Sequence, residues 1–320
     1  MALPSSGQIS VDDIRTELDV SGEVNVNFAG LAEGSFGTIN TNSSSTPNDE
    51  APHSLSEWYS YDHDAAPAYS NSHYYSNDGT NDYVTGSKSG STPFVINTTQ
   101  DLSFNFWVRI KSSSKNNETL WNFGSTQSNG NNRIFMQYVA SLNRMLCRIR
   151  TNSVNFDRQF ALHDNSSVTG ISNSSTGWTT SQRGNVNSDN FCMITLTYDA
   201  SQSTAANAFK LYWNANELTT TANSNNGTRS ARNADFFRFC ENIHTTASAG
   251  NANVDLDEFK VYTDILSSSE ISTLYNSGTI TDSTQTHSSS LLTEWTFDSD
   301  DEDSAGLYST SIVGGSRTSY

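Results

Sequence analysis

The sequence predicts a mainly β protein, an antiparallel sandwich preceded by a short N-terminal arm that carries a helix. Three observations predict it. Leu102, Phe104, Phe106, Val108 and Ile110 alternate with Ser103, Asn105, Trp107 and Arg109, and a period of two puts the apolar set on one face of a strand. Similar runs recur, separated by polar connections such as Ser128–Asn132 and Asn223–Gly227, the pattern of many short strands joined by turns. In 320 residues the hydrophobic share is only 34%, yet aromatics reach 11% and charged residues only 16%. Disordered chains combine few aromatics with high charge, so this one has the rings to build a core.

In chain order, Ser10-Val11-Asp12-Asp13 has the form of a capping box, and Val11, Ile14 and Leu18 follow at helical spacing. Glu23–Phe28 alternates weakly. Asn40–Asp49 is a Ser/Thr/Asn/Pro linker, and Ser56–His63 is an aromatic cluster. So short a region, with one helix and little apolar content, buries little by itself and is expected to dock on another surface. Past residue 66, strands are predicted at 102–110, 119–123, 133–140, 144–150, 154–160, 191–198, 209–213 and 254–262. One helix interrupts them: Ser267 caps it, Glu270 sits three later, Ile271, Leu274 and Tyr275 line one face, and Gly278 supplies the left-handed exit.

The net charge of −17 repels phosphate backbones and anionic membranes, which argues against nucleic-acid binding. No apolar run approaches the roughly 20 residues that span a bilayer, and no secretory leader is visible at the N-terminus. Cys147, Cys192 and Cys240 are odd in number and far apart, which predicts buried thiols rather than a disulfide framework.

Two stretches resemble known families. Ala2–Ser10 with Asp13–Leu18, followed by Ser54-Leu55-Ser56-Glu57-Trp58-Tyr59-Ser60, resembles the N-terminus of tailed-bacteriophage virion proteins, with Ser60 where their element carries glycine. Asp78–Val84, Leu102–Val108, Val254–Tyr262 and Leu266–Gly278 resemble a concanavalin A-like, laminin-G-type jelly roll. Glu294–Asp298 and Asp303–Gly306 resemble a strand and turn that often open such domains. The resemblances imply an arm over 1–65 for virion attachment, a jelly roll over 66–300, and a tail over 301–320 that adds an edge strand or a subunit contact. They imply a taste for glycans or protein surfaces but no one activity.

Glucan-cutting relatives of this jelly roll carry Glu-x-Asp-x-(x)-Glu on one strand. Asp255-Leu256-Asp257-Glu258 begins with Asp and puts Glu258 on the face opposite Asp257 unless a bulge intervenes, so no catalytic pair is expected. Calcium is the cofactor the resemblance allows, through Asp255, Asp257, Asp298, Asp300 and Asp301, although the acidic run fails as an EF-hand because Asp303 and Ser309 occupy its glycine and glutamate places. The six histidines are scattered, and Gly86-Ser87-Lys88-Ser89-Gly90 has lysine where a nucleophile elbow needs serine. Ile9, Val11, Ile14, Leu18, Trp58, Tyr59 and Tyr61 are the expected assembly interface. Tyr74, Tyr75 and Trp178 are candidate glycan contacts, since rings either stack sugars or pin the arm.

The expectation from sequence is therefore a non-enzymatic structural component of a tailed-phage virion, assembled in the bacterial cytoplasm: decoration, neck, tail appendage or fibre. Its partners are other virion proteins, sister subunits in a homo-oligomer and host surface glycans, with neither nucleic acid nor membrane insertion. The alternative is a soluble carbohydrate-binding lectin, and less so a polysaccharide depolymerase.

Overall fold

The computed structural model describes residues 3–18, 20, 27–40, 43, 45–48, 51–63, 73–90, 94–96, 100–112, 117–125, 132–139, 142, 144–162, 191–219, 221–241, 251–276, 280, 290–298 and 304–319. The chain divides into two compact units, Met1–Ser70 and Asn71–Tyr320.

In the first unit, α1 (Val11–Glu17) starts from the predicted capping box: Ser10 Oγ accepts the Asp13 amide, and the Asp13 carboxylate accepts the Ser10 amide at 2.7 Å. A second short helix, α2 (Phe28–Ala32), follows, with Asn27 Oδ1 accepting the Gly30 amide at 2.6 Å. Phe28 therefore opens a helix rather than closing a strand; residues 21–26 lie outside the described set. Leu55–Trp58 form a 3₁₀ turn, and the chain then folds back on its own start, Leu3 N–H donating to the Tyr61 carbonyl and Ser60 N–H to that of Pro4. Ser60 makes that reversal at φ 62, the left-handed region that favours the glycine found there in the resembling element.

This unit is not the coreless arm expected from sequence. Leu3, Ile9, Ile14, Leu18, Leu31, Ala32, Trp58 and Tyr61 bury one another, with Trp58 edge-on to Tyr61 at 5.1 Å between centroids. Chain return between residues 3–4 and 60–61 gathers apolar side chains that lie far apart in sequence.

The second unit is an antiparallel jelly-roll sandwich. Its strands are β1 (His73–Ser76), β2 (Tyr83–Lys88), β3 (Val95–Ile96), β4 (Leu102–Ser112), β5 (Asn117–Gly124), β6 (Asn132–Val139), β7 (Arg144–Thr151), β8 (Val154–Ala161) and β9 (Cys192–Tyr198). After the short helix α3 (Ala205–Ala208) come β10 (Phe209–Trp213), β11 (Asn216–Glu217), β12 (Thr221–Asn226), β13 (Arg232–Asn233), β14 (Phe236–Phe239) and β15 (Asn253–Tyr262). Helix α4 (Ser268–Tyr275), β16 (Leu291–Trp295), β17 (Tyr308–Val313) and β18 (Ser316–Ser319) complete it. The first sheet runs β11-β10-β9-β4-β15-β1-β18, with β16 also on β15; the second runs β12-β8-β7-β6-β5-β14-β2-β17.

The predicted alternation works on the inner faces. Phe104 and Phe106 of β4 and Phe259 of β15 meet Trp121 and Phe123 of β5 and Phe239 of β14, with Phe104–Trp121 and Phe239–Phe259 centroids 4.4 Å apart. Cys147, Cys192 and Cys240 are free and buried, and burial pushes all three thiols up.

Two local readings differ from the sequence expectation. Asn223–Asn226, read as a turn, belongs to β12 and pairs with β8, because backbone hydrogen bonds can recruit a polar edge segment that shows no apolar alternation. Helix α4 exits through Asn276 at φ 41, asparagine tolerating the left-handed turn, and Gly278 lies outside the described residues. The tail expected to add an edge strand adds one to each sheet, β17 on β2 and β18 on β1. Gly314 and Gly315 make the crossing at φ 62 and 60, where a Cβ on Gly314 would meet Asp82 Oδ1 at 2.0 Å. No helix among the described residues is long and apolar enough to cross a membrane.

Candidate functional site

The predicted acids fall on the outer face of the first sheet, and they are already occupied. Register places Asp255 of β15 opposite Arg109 of β4. Arg109 Nε donates to Asp255 Oδ2 at 2.7 Å, and Lys111 Nζ lies 2.9 Å from Oδ1. Arg109 Nη2 also donates to Tyr74 Oη at 2.9 Å, its guanidinium 5.0 Å above the Tyr74 ring.

The bulge that could bring Asp257 and Glu258 together does occur, between Asp257 and Lys260, with Glu258 at φ 48. It turns the Glu258 carboxylate onto Lys260 Nζ at 2.6 Å, both side chains being 1% exposed. Burial by itself would lower the Lys260 pKa; the Glu258 and Glu294 carboxylates more than reverse that and raise it. Glu258 is thereby a counter-ion, not a free acid or nucleophile. Asp257 Oδ1 accepts the Glu258 amide, and Asp298 Oδ1 accepts the His73 amide at 2.9 Å. Among the described residues no three His, Cys, Asp or Glu side chains gather as a metal site; Asp300 and Asp301 lie outside that set.

This face is also covered. Trp107, Met193, Tyr212 and Tyr262 form an apolar cluster with Leu266, Ile271 and Leu274 of the α4 segment, and Tyr275 stacks on Trp107 at 5.9 Å.

The predicted aromatic contacts are likewise interior. Tyr75 is fully buried against Phe297, and Tyr74 is buried beneath Arg109; Trp178 lies outside the described residues. Trp107, Trp121, Trp213 and Trp295 are all buried. Of the expected assembly residues, Ile9, Ile14, Leu18, Trp58 and Tyr61 fill the first unit's own core, Tyr59 is half-buried, and only Val11 is exposed. Rings and aliphatic side chains in this polar chain are scarce enough that the cores consume them.

The outer face of the second sheet was missed in the sequence; Asn122, Phe135 and Asp157 on it are buried, while Ser87, Ser309, Ser311 and Asn225 are exposed. Side chains in the same phase of the pleat share a face, so the strand registers define two rows across it. One row reads Ser309, Ser87, Phe236, Gly124, Arg133, Arg150 and Asn155. The next reads Ser311, Thr85, Arg238, Asn122, Phe135, Arg148, Asp157 and Asn225. Eight strands at about 4.8 Å spacing make this band roughly 34 Å long.

Its β17–β2–β14 end is an open hollow of about 400 Å³ lined by Thr85, Ser87, Ser125, Phe236, Ser309 and Ser311, among others. There Arg238 lies 4.7 Å over the Tyr83 ring and pairs with Glu241. At the β6–β8 end Arg133 stacks 4.2 Å above Phe135, with Arg148 5.8 Å from the same ring. Arg148 Nε donates to Asp157 Oδ2 at 2.9 Å, and Asn225 Nδ2 donates to Oδ1 at 3.0 Å. Arg133 is held below its usual pKa first by burial, then by Arg150 and Arg148. The signal was legible: five of the chain's 17 Lys and Arg fall between 133 and 158, against the single acid Asp157.

No family model and no curated protein matches this chain. Among solved structures it is similar to a putative carbohydrate binding protein from Bacteroides ovatus, at 11% identity over 78% of this chain and 59% of that one, TM-score 0.44. It is also similar to a heptameric SAP-like pentraxin from Limulus polyphemus, at 9% identity over 75% and 93%, TM-score 0.41. A third is the binding domain of botulinum neurotoxin serotype G, at 18% identity over 60% and 40%, TM-score 0.40. The chain thus spans less than two thirds of the first of these and of the toxin domain.

Proposed function

We propose that this protein is a non-enzymatic adhesion protein whose jelly roll takes a glycan along the outer face of the second sheet. The observation that carries the reading is the pair of cross-strand rows. They present hydroxyls (Ser87, Thr85, Ser309, Ser311), the amides of Asn155 and Asn225 and the half-buried guanidiniums of Arg148 and Arg150 on one face of the sheet. A sugar chain asks for such a surface, with hydrogen-bond partners for its hydroxyls along a shallow track rather than in a deep pocket. Repeated display on one particle turns weak sites of this kind into firm attachment.

The carboxylates best placed by sequence for hydrolysis are ion-paired, Glu258 to Lys260 and Asp255 to Arg109 and Lys111, which supports binding without cleavage. Incubation of the full chain with bacterial capsular and cell-wall polysaccharides is the test. Retention on at least one polysaccharide with no new reducing ends is expected. Release of reducing ends, or retention on none, contradicts the reading.

A second reading concerns residues 1–65 as the part that fixes the protein to a virion, next to sister subunits. One specific observation favours it: the Trp58-Tyr59-Ser60 element turns left-handed at Ser60, where the resembling phage element carries glycine. Cross-linking of purified particles followed by mass spectrometry should join peptides from 1–65 to other virion polypeptides; links confined to this chain would contradict it.

A further inference from the structure

We infer that the ligand of this face is an uncharged glycan, and that the hollow over β17, β2 and β14 is its anchoring subsite, where the Asp235 carboxylate accepts two neighbouring sugar hydroxyls. The inference rests on the glycan reading above and adds the substrate class and its anchor.

The hollow follows from the strands that build it. Ser309, Ser87, Phe236 and Gly124 stand in register across β17, β2, β14 and β5, so short side chains surround one ring. Phe236 is 6% exposed and closes the floor. The rim is open: Ser87, Ser309 and Ser311 are exposed, and Thr85, Ser125 and Asp235 are half-buried. Gly86 lets β17 lie close on β2, since a Cβ there would meet the Ser309 carbonyl oxygen at 2.6 Å. Asp235 and Ser125 sit at strand ends and are held there by backbone bonds. The Asp235 carbonyl accepts the Lys88 amide at 2.8 Å, and the Ser125 amide donates to the Asn132 carbonyl at 3.1 Å. The resulting space of about 400 Å³ falls within the roughly 300–1,000 Å³ of small-ligand sites.

The lining then selects the ligand. The Thr85 hydroxyl donates to the Phe237 carbonyl, and those of Ser87 and Ser309 lie 3.4 Å apart. The Ser125 and Ser311 hydroxyls and the Asp235 carboxylate make no side-chain hydrogen bond or ion pair among the described residues. A carboxylate only accepts, and its two oxygens can take two adjacent O–H groups; serine hydroxyls both give and accept. No lysine or arginine is among the described residues that line the hollow, and Arg238, in the next row, is ion-paired with Glu241. An acidic sugar or a phosphate would therefore face Asp235 with no cation to offset it, on a chain of net charge −17. A hydroxyl-rich ligand without charge meets no such repulsion.

Binding of the full chain to dextran, galactomannan, mannan and polygalacturonate is measured for the native protein, Asp235→Asn and Ser87→Phe. The first variant keeps the shape and removes the charged acceptor; the second puts a ring into the hollow. The expected result is at least tenfold tighter binding to one neutral polymer than to polygalacturonate. Each variant should lose about tenfold or more, the scale of a hydrogen bond to a charged group. An unchanged urea midpoint shows that the loss is not unfolding; should Ser87→Phe shift it, Ser311→Phe, at the exposed edge, takes its place. Polygalacturonate bound as tightly as the neutral polymers, or neutral binding that survives both substitutions, overturns the inference and leaves the glycan reading standing. Retention on acidic polysaccharides alone does the same. Retention on none overturns both.

Discussion

The two outer faces of the sandwich carry the same kinds of side chain and use them in opposite ways. On the first sheet Arg109, Lys111 and Lys260 meet Asp255, Glu258 and Glu294, and the apolar residues of α4 close over Trp107. On the second sheet Arg148 pairs with Asp157, Arg150 makes no side-chain hydrogen bond or ion pair among the described residues, and Phe135, Val139 and Leu146 form a small apolar cluster. A charged face whose groups answer one another under a helix is part of the fold. The lesson is that net charge says little about a site: the chain's acidity hides a basic surface on three strands.

The largest effect that sharpens the contrast belongs to the Glu258–Lys260 pair. Glu258→Ala leaves a buried ammonium without its counter-ion and should destabilise the protein by about 3–5 kcal/mol in urea unfolding. Asp255→Asn should cost less, about 1–3 kcal/mol, since Arg109 and Lys111 keep part of their surface in water and can turn to it. If either loss is near zero, the first face is not a structural network.

A pH series reads the same pair through linkage. The folded pKa of Lys260 is raised, so its share of stability is present below the unfolded lysine value of about 10.4 and declines as pH rises beyond it. Lys260→Met should flatten that part of the alkaline decline. The smallest effect belongs to the second face. Arg150→Gln removes a cation that faces Arg133, so stability should stay within about 0.5 kcal/mol of native or rise slightly. A loss of several kcal/mol there would mean that Arg150 holds the fold together, and the contrast between the faces would fail.

Much of the fold was legible in the sequence. Alternation in β4, the capping boxes at Ser10 and Ser267, and the apolar runs of β5 to β10 each follow from local physics that a short window contains. The illegible parts depend on long-range pairing. Polar Thr221–Asn226 becomes a strand only because β8 offers it an edge, and the C-terminal residues enter both sheets only through Gly314 and Gly315. The core of the first unit depends on residues 3–4 meeting 60–61, which no local window shows.

The candidate site fared worse for a related reason. Acids and tryptophans attract notice in a sequence, but burial status is a tertiary property, and here it assigns Asp255, Glu258, Tyr74 and Trp107 to the interior. Arg133, Arg148 and Arg150 were visible as residues. Their meeting on one face needed the β6–β7 register.

Amide hydrogen exchange of the full chain, with and without a saturating amount of the polysaccharide that retains it, tests the central claim most directly. The account predicts added protection in the second sheet and none in β4, β9 or β15. Protection confined to β4, β9 and β15, with the second sheet unchanged, would contradict it.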